Sequence, residues 1–141
     1  MLRVAVVDGQ GASFGAAIIK RMRQAFAEDV EIWALGTNAI ATAQMLKAGA
    51  NRGTSGEGAV CHCVHQTDVV VGSISILIAH SFMGECSPRM VEAIGACKAL
   101  KMLLPLTQEP VMVVGQVAEP LPHLIDTLIE RMLTPLVHGR S

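Results

Sequence analysis

A chain of 141 residues, 51% hydrophobic and 16% charged, is too apolar to stay disordered and has the length of one domain. A formal net charge of −1 withholds the phosphate neutralisation that nucleic-acid binding depends on. No apolar run nears the roughly 18 residues that would span a bilayer.

The chain opens directly on an apolar run, Arg3 to Val7, which reads as a strand buried on both faces. The expectation is that no targeting segment precedes it, that the protein is cytoplasmic and that its four Cys are free thiols. Asp8-Gly9-Gln10-Gly11 breaks the strand. A helix then runs from about Ala12 to Ala27, with Phe14, Ile18, Met22 and Phe26 four apart on one face and Lys20, Arg21 and Arg23 on a solvated one. Glu31 to Leu35 reads as the second strand, ended by Gly36-Thr37-Asn38. Asn38 is suited to cap a helix through Leu46 and Lys47, with Gly49 at its C-terminal end.

Residues 51–58 (NRGTSGEG) are polar and glycine-rich and read as a loop. Residues 59–66 fit a strand by alternation and a short helix by placement; the helix is preferred. Asp68 to Val71 is the third strand, stopped by Gly72, and residues 73–80 show no clear period. Ser87-Pro88 supplies an N-cap and first-turn proline for a helix to about Ala99. Lys101 to Leu104 and Val111 to Val114 read as the fourth and fifth strands. Only six residues separate them, too few for a parallel crossover, so they are expected to pair antiparallel at one edge. Pro120 and Pro122 introduce a last helix, with Pro135 and Gly139 marking its end. The fold expected is α/β, a Rossmann-like three-layer sandwich, with a mostly parallel sheet of about five strands and an antiparallel edge pair.

The aromatic content is 3%, with no Tyr, so the core is aliphatic and includes many of the eight Met. So few charges on so small a domain leave little polar cover. A homo-oligomer is expected.

The first candidate site is the turn after the opening strand, where Gly9, Gly11 and Gly15 follow Asp8 in the order Gly-x-Gly-x-x-x-Gly. In a strand-to-helix context such glycines bring backbone N–H groups, and the positive end of the helix dipole, to an anion. The ligand expected is a nucleotide or another small anionic metabolite. A dinucleotide such as NAD(P) is one possible cofactor, although the second strand ends in Gly36, Thr37 and Asn38 without the usual carboxylate. Ligands of open α/β sheets bind beyond the carboxyl ends of the strands. That rim adds Gly72 and Ser73, with Ser75 nearby, and Arg52 is the cation expected to meet an anion there. The site residues read from sequence are thus Asp8, Gly9, Gln10, Gly11, Gly15, Gly36, Thr37, Asn38, Arg52, Gly72 and Ser73. A small enzyme with its site shared between protomers is an alternative.

Cys61-His62-Cys63-Val64-His65 offers soft metal ligands and supports a metal-binding alternative. No second Cys/His pair follows at familiar spacing, and no metal ligand is assigned. Asp8 and Glu85, with Glu57 behind them, are the available acid/base groups, and each is accounted for by turn or helix-end chemistry.

The segments VAVVDGQG, ALGTNAIATAQMLKAGANRGTSGE and LLPL together resemble a small bacterial family catalogued as domain of unknown function 3842. The likeness covers nearly the whole chain. It implies a Rossmann-like fold and no particular substrate.

Overall fold

The computed structural model describes residues 1–9 and 14–139. Five strands, β1 (Leu2–Asp8), β2 (Val30–Gly36), β3 (Arg52–Ser55), β4 (Val69–Ser73) and β5 (Leu100–Leu104), form one sheet in the order β3-β2-β1-β4-β5. Every pairing is parallel. β1 lies at the centre, in register with β2 from Leu2 opposite Val30 to Asp8 opposite Gly36. Its Val4, Ala5, Val6 and Val7 are buried, which is why the run carries no polar alternation.

Helices cover both faces. On one face, α1 (Phe14–Phe26), α2 (Ala39–Ala48) and the C-terminal helical run pack Ile18, Met22, Met45, Leu128, Ile129 and Leu133 against Val4, Val6, Ile32 and Val71. On the other, α3 (Glu57–Cys63) and α4 (Pro88–Ala96) pack Val60, Met90 and Ile94 against Ala5, Val7, Leu35 and Val70. The caps fall where the side chains dictate. Asn38 accepts from Ala41 N at 2.8 Å to open α2, Gly49 ends it at φ 127°, and Ser87 accepts from Met90 N at 3.3 Å to open α4. Residues 59–66 are helical, as their placement indicates, with α3 passing into a 3-10 turn over Val64–Gln66.

Four expectations are corrected. The loop expected over 51–58 contains β3. Arg52-Gly53-Thr54-Ser55 is a polar edge strand, so burial left no periodic signal, and its place comes from pairing with Trp33 to Gly36. The antiparallel edge pair does not form. After β5 the chain reaches Thr107, whose Oγ1 lies 2.6 Å from Ser75 Oγ in the 3-10 turn that follows β4. Residues 111–114 are exposed and outside the sheet, with turns closed by Val111 N to Glu109 O at 2.7 Å and Gln116 N to Val113 O at 3.3 Å in place of strand pairing. Arg21 and Arg23 are not simply a solvated face. Arg21 pairs with Asp126 at 3.0 Å, and Arg23 donates to the carbonyls of Gly49 and Val30.

Pro135 does not end the last helix either. α5 (Leu121–Thr127) widens into a π-helical stretch, Leu128–Leu133, and resumes as α6 (Thr134–His138). Proline has no N–H to donate and its ring crowds the carbonyl four residues back. The wider turn accommodates it, and Thr134 Oγ1 donates to Ile129 O at 2.8 Å.

Ile18, fully buried between α1 and the sheet, is a test of this packing. Ile18→Ala is expected to lower unfolding free energy by about 2–5 kcal/mol in urea titrations. Ile40→Ala, at a position 73% exposed, should stay within about 0.5 kcal/mol of the parent.

Candidate functional site

The strand order reverses between β1 and β4, so the crevice of interest lies beyond Asp8 on one side and Ser73 on the other. Asp8 is buried and its carboxylate is fully engaged. Oδ1 accepts from Gly9 N at 2.9 Å and Oδ2 from Gly15 N at 2.8 Å. One side chain thereby holds both ends of the segment joining β1 to α1. Gly15 has no room for a side chain: a Cβ there would meet Met45 Sδ at 2.6 Å and Asp8 Cβ at 3.0 Å. This is the close helix-to-strand approach that the third glycine of the motif permits. Gln10 and Gly11 lie outside the described residues.

Gly9 is equally enclosed. A Cβ at this position would run into Thr37 Oγ1 and meet the Phe82 ring at 2.7 Å. Phe82 belongs to the segment 78–87, which follows β4 and closes on itself through His80 N to Cys86 O at 2.7 Å and Cys86 N to Ser81 O at 3.0 Å. His80, Phe82 and Met83 have φ of 69°, 56° and 56°, and Gly84 has 92°. Three non-glycine residues in the left-handed region cost about 1 kcal/mol or more each, strain that contacts elsewhere must hold.

Glu85 supplies one such contact. Its Oε1 accepts from Thr37 Oγ1 at 2.8 Å and from Asn38 Nδ2 at 2.9 Å. A carboxylate thus stands at the end of β2, the position where the sequence has Gly36-Thr37-Asn38 and no acid. It arrives from a segment 47 residues downstream of Asn38, across the end of β1. No local signal announces this; only the fold brings the groups together.

On the far side of the crevice, Gly72 lets the β1 and β4 backbones approach, since a Cβ there would meet Val7 O at 2.8 Å. Ser73 Oγ accepts from Ser75 N at 3.2 Å, opening the 3-10 turn Ile74–Leu77. Ser81 Oγ donates to Ser75 O at 2.5 Å. Among the described residues no buried polar side-chain atom lacks a hydrogen-bond partner.

Arg52 is not brought to this rim. It pairs with Trp33 at the start of β3, three residues and about 10 Å before the strand's carboxyl end. There it borders a separate cavity of ≈ 310 Å³ between β2, β3 and α3, lined also by Trp33, Thr54, His62 and Cys63. The Cys/His cluster is dispersed by helical geometry. Cys61 Sγ faces Arg89 O at 3.5 Å, His62 bonds Gln66, and Cys63 borders the cavity. Among the described residues no group of three or more His, Cys, Asp or Glu side chains is assembled to hold a metal ion. Burial raises the thiol pKa of Cys61, Cys63 and Cys86, which leaves these side chains protonated and poorly nucleophilic. Among the described residues no helix is long and apolar enough to cross a membrane.

Burial pushes the Asp8 carboxyl above its ordinary value, outweighing the Gly15 and Gly9 N–H bonds that pull it down. The folded protein therefore keeps this proton at a pH where the unfolded chain, with a value near 3.8, has already released it. Stability contributed by Asp8 falls as pH rises through that interval and is level above it. Asp8→Asn cannot titrate. Urea melts of both proteins from below the ordinary carboxylate range up to neutrality should show the parent losing stability relative to Asp8→Asn as pH rises. A difference that grows in the opposite direction would mean the two N–H bonds prevail over desolvation.

A comparison with proteins of curated function finds no match. The family model described as Domain of unknown function (DUF3842) matches residues 3–137, and the chain belongs to that family.

Proposed function

We propose that this Rossmann-like chain binds a nucleotide or a related phosphorylated, hydroxyl-bearing metabolite at the carboxyl rim of its sheet, beneath the segment 78–87. The observation that carries the reading is Glu85 meeting Thr37 and Asn38 beside the glycine turn that Asp8 holds. An anionic group and a polyol are recognised by different chemistry, and both kinds lie at this rim. Backbone amides at the start of a helix favour a phosphate. Because the Gly9 and Gly15 amides are bonded to Asp8, the phosphate is assigned, on the sequence motif, to Gln10 and Gly11, which lie outside the described residues. A carboxylate at the end of the second strand favours ribose hydroxyls. The described side-chain hydrogen bonds of Glu85 fall on Oε1, and Oε2 is assigned to the ligand.

The same carboxylate keeps NAD(P) within the class, since a dinucleotide site calls for an acid at this strand end. Phe82 sits against Gly9 in the structure, so a ligand needs the segment 78–87 to lift. Its left-handed residues store strain that favours such a movement once the Glu85 bonds are exchanged for bonds to ligand.

Thermal unfolding with AMP, ATP, NAD, NADP, a sugar phosphate and inorganic phosphate tests the reading. A member present at 100 times its Kd stabilises by about 2.7 kcal/mol. Gly11→Val should abolish the shift, and Glu85→Gln should weaken ribose-bearing ligands by about tenfold while leaving inorganic phosphate unaffected. If no member shifts the melt, or if Gly11→Val responds like the parent, the proposed site is wrong.

A further inference from the structure

Arg52 stands beside the cavity of ≈ 310 Å³ between β2, β3 and α3, and the rim makes no use of it. Strand and helix periodicity build the walls. Arg52 pairs with Trp33 and Thr54 with Leu35, so all four side chains leave the sheet on the face that α3 covers. The alternate residues, Gly53 and Ser55, face α2, where Ser55 Oγ lies 2.8 Å from Thr42 Oγ1. On α3, Ala59, His62 and Cys63 stand at i, i+3 and i+4, and this side of the helix borders the cavity. Val60 turns to the core instead. Ala59 contributes only a methyl group to its wall, which leaves the space open.

The floor is apolar and the mouth is polar. Trp33 and Leu35 are buried, whereas Arg52 and His62 are exposed. The polar groups around Trp33 are already committed. Glu31 Oε1 accepts from Trp33 Nε1 at 2.8 Å and Oε2 from Arg3 Nε at 3.1 Å, and the Arg3 guanidinium lies 4.4 Å from the centre of the Trp33 ring. Glu31 is held below the usual carboxylate range first by Trp33, then by Arg3 and least by the field of Arg52. His62 bonds Gln66. Among the described residues no ion pair engages Arg52.

We propose that this cavity binds a small apolar monocarboxylate, its body against Trp33, Leu35 and Ala59 and its carboxylate on Arg52. A guanidinium at the lip of an apolar cleft selects that combination. Apolar walls leave the hydroxyls of a sugar unsatisfied, and Arg52 repels a cation. The volume lies at the lower end of the roughly 300–1,000 Å³ of small-molecule sites, which sets the size of the guest.

Trp33 is the single Trp of a chain without Tyr, so its emission reports from the cavity wall itself. Titrating the full chain with phenylacetate or hexanoate should change that emission saturably, with a Kd of about 1 mM or tighter. Phenylacetamide, of the same shape and uncharged, should bind about tenfold more weakly than phenylacetate. Arg52→Gln, at an exposed position, should keep the fold and lose this preference for the acid. Ala59→Leu, which fills the cavity, should abolish the response to both ligands with the far-UV spectrum unaltered. Gly11→Val should respond like the parent, which separates this site from the rim. No saturable change with either acid up to about 10 mM overturns the proposal. So does a preference for the acid that survives Arg52→Gln, or a response that Gly11→Val abolishes.

Discussion

Two hydrogen bonds accepted by one buried carboxylate organise the carboxyl end of the central strand. Asp8 ends the central strand and accepts from Gly9 N and Gly15 N, so the chain that leaves β1 and the first turn of α1 are tied to a single point. The arrangement opposes the desolvation of a buried charge, and two N–H donors only partly offset it. It works because Gly15 has no side chain to separate α1 from the strand and from Met45. The carboxylate thus occupies the Gly9 and Gly15 amides, which flank the segment between β1 and α1.

Around that anchor the rim is assembled from segments far apart in sequence. Thr37 and Asn38 come from the end of β2, Phe82 and Glu85 from the segment after β4, and Thr107 from the segment after β5. Side-chain hydrogen bonds hold them together, and the strained backbone at residues 80–84 is the counterweight. The segment is held against that strain by its own backbone bonds and by burial of Ser81 and Cys86.

The sheet treats its two edges unequally. β3 is short and polar and is covered by its own chemistry. β5 is apolar, and the segment that follows it leaves Met112 and Val114 exposed. Both features follow from a low charge content: with 16% charged residues, there are too few polar side chains to blunt every surface.

From residues alone, the order of buried elements was readable wherever burial imposed a period or a cap imposed a boundary. The apolar run of β1, the four-residue spacing of Ile18, Met22 and Phe26 and the Asn38 and Ser87 caps are local effects, and local rules find them. Tertiary structure decided the rest. β3 is a strand only because Trp33 to Gly36 lie beside it, and Val111 to Val114 lie outside the sheet in a stretch closed by local turns. Pro135 sits inside a helix because the turn before it widens. Arg52, expected at the rim, stands about 10 Å back along its strand, while Glu85 reaches the end of β2 through contacts 47 and 48 residues apart. Hydrogen bonds of that separation leave no periodicity in a sequence, since they depend on where strands lie in the sheet and not on what precedes or follows them along the chain.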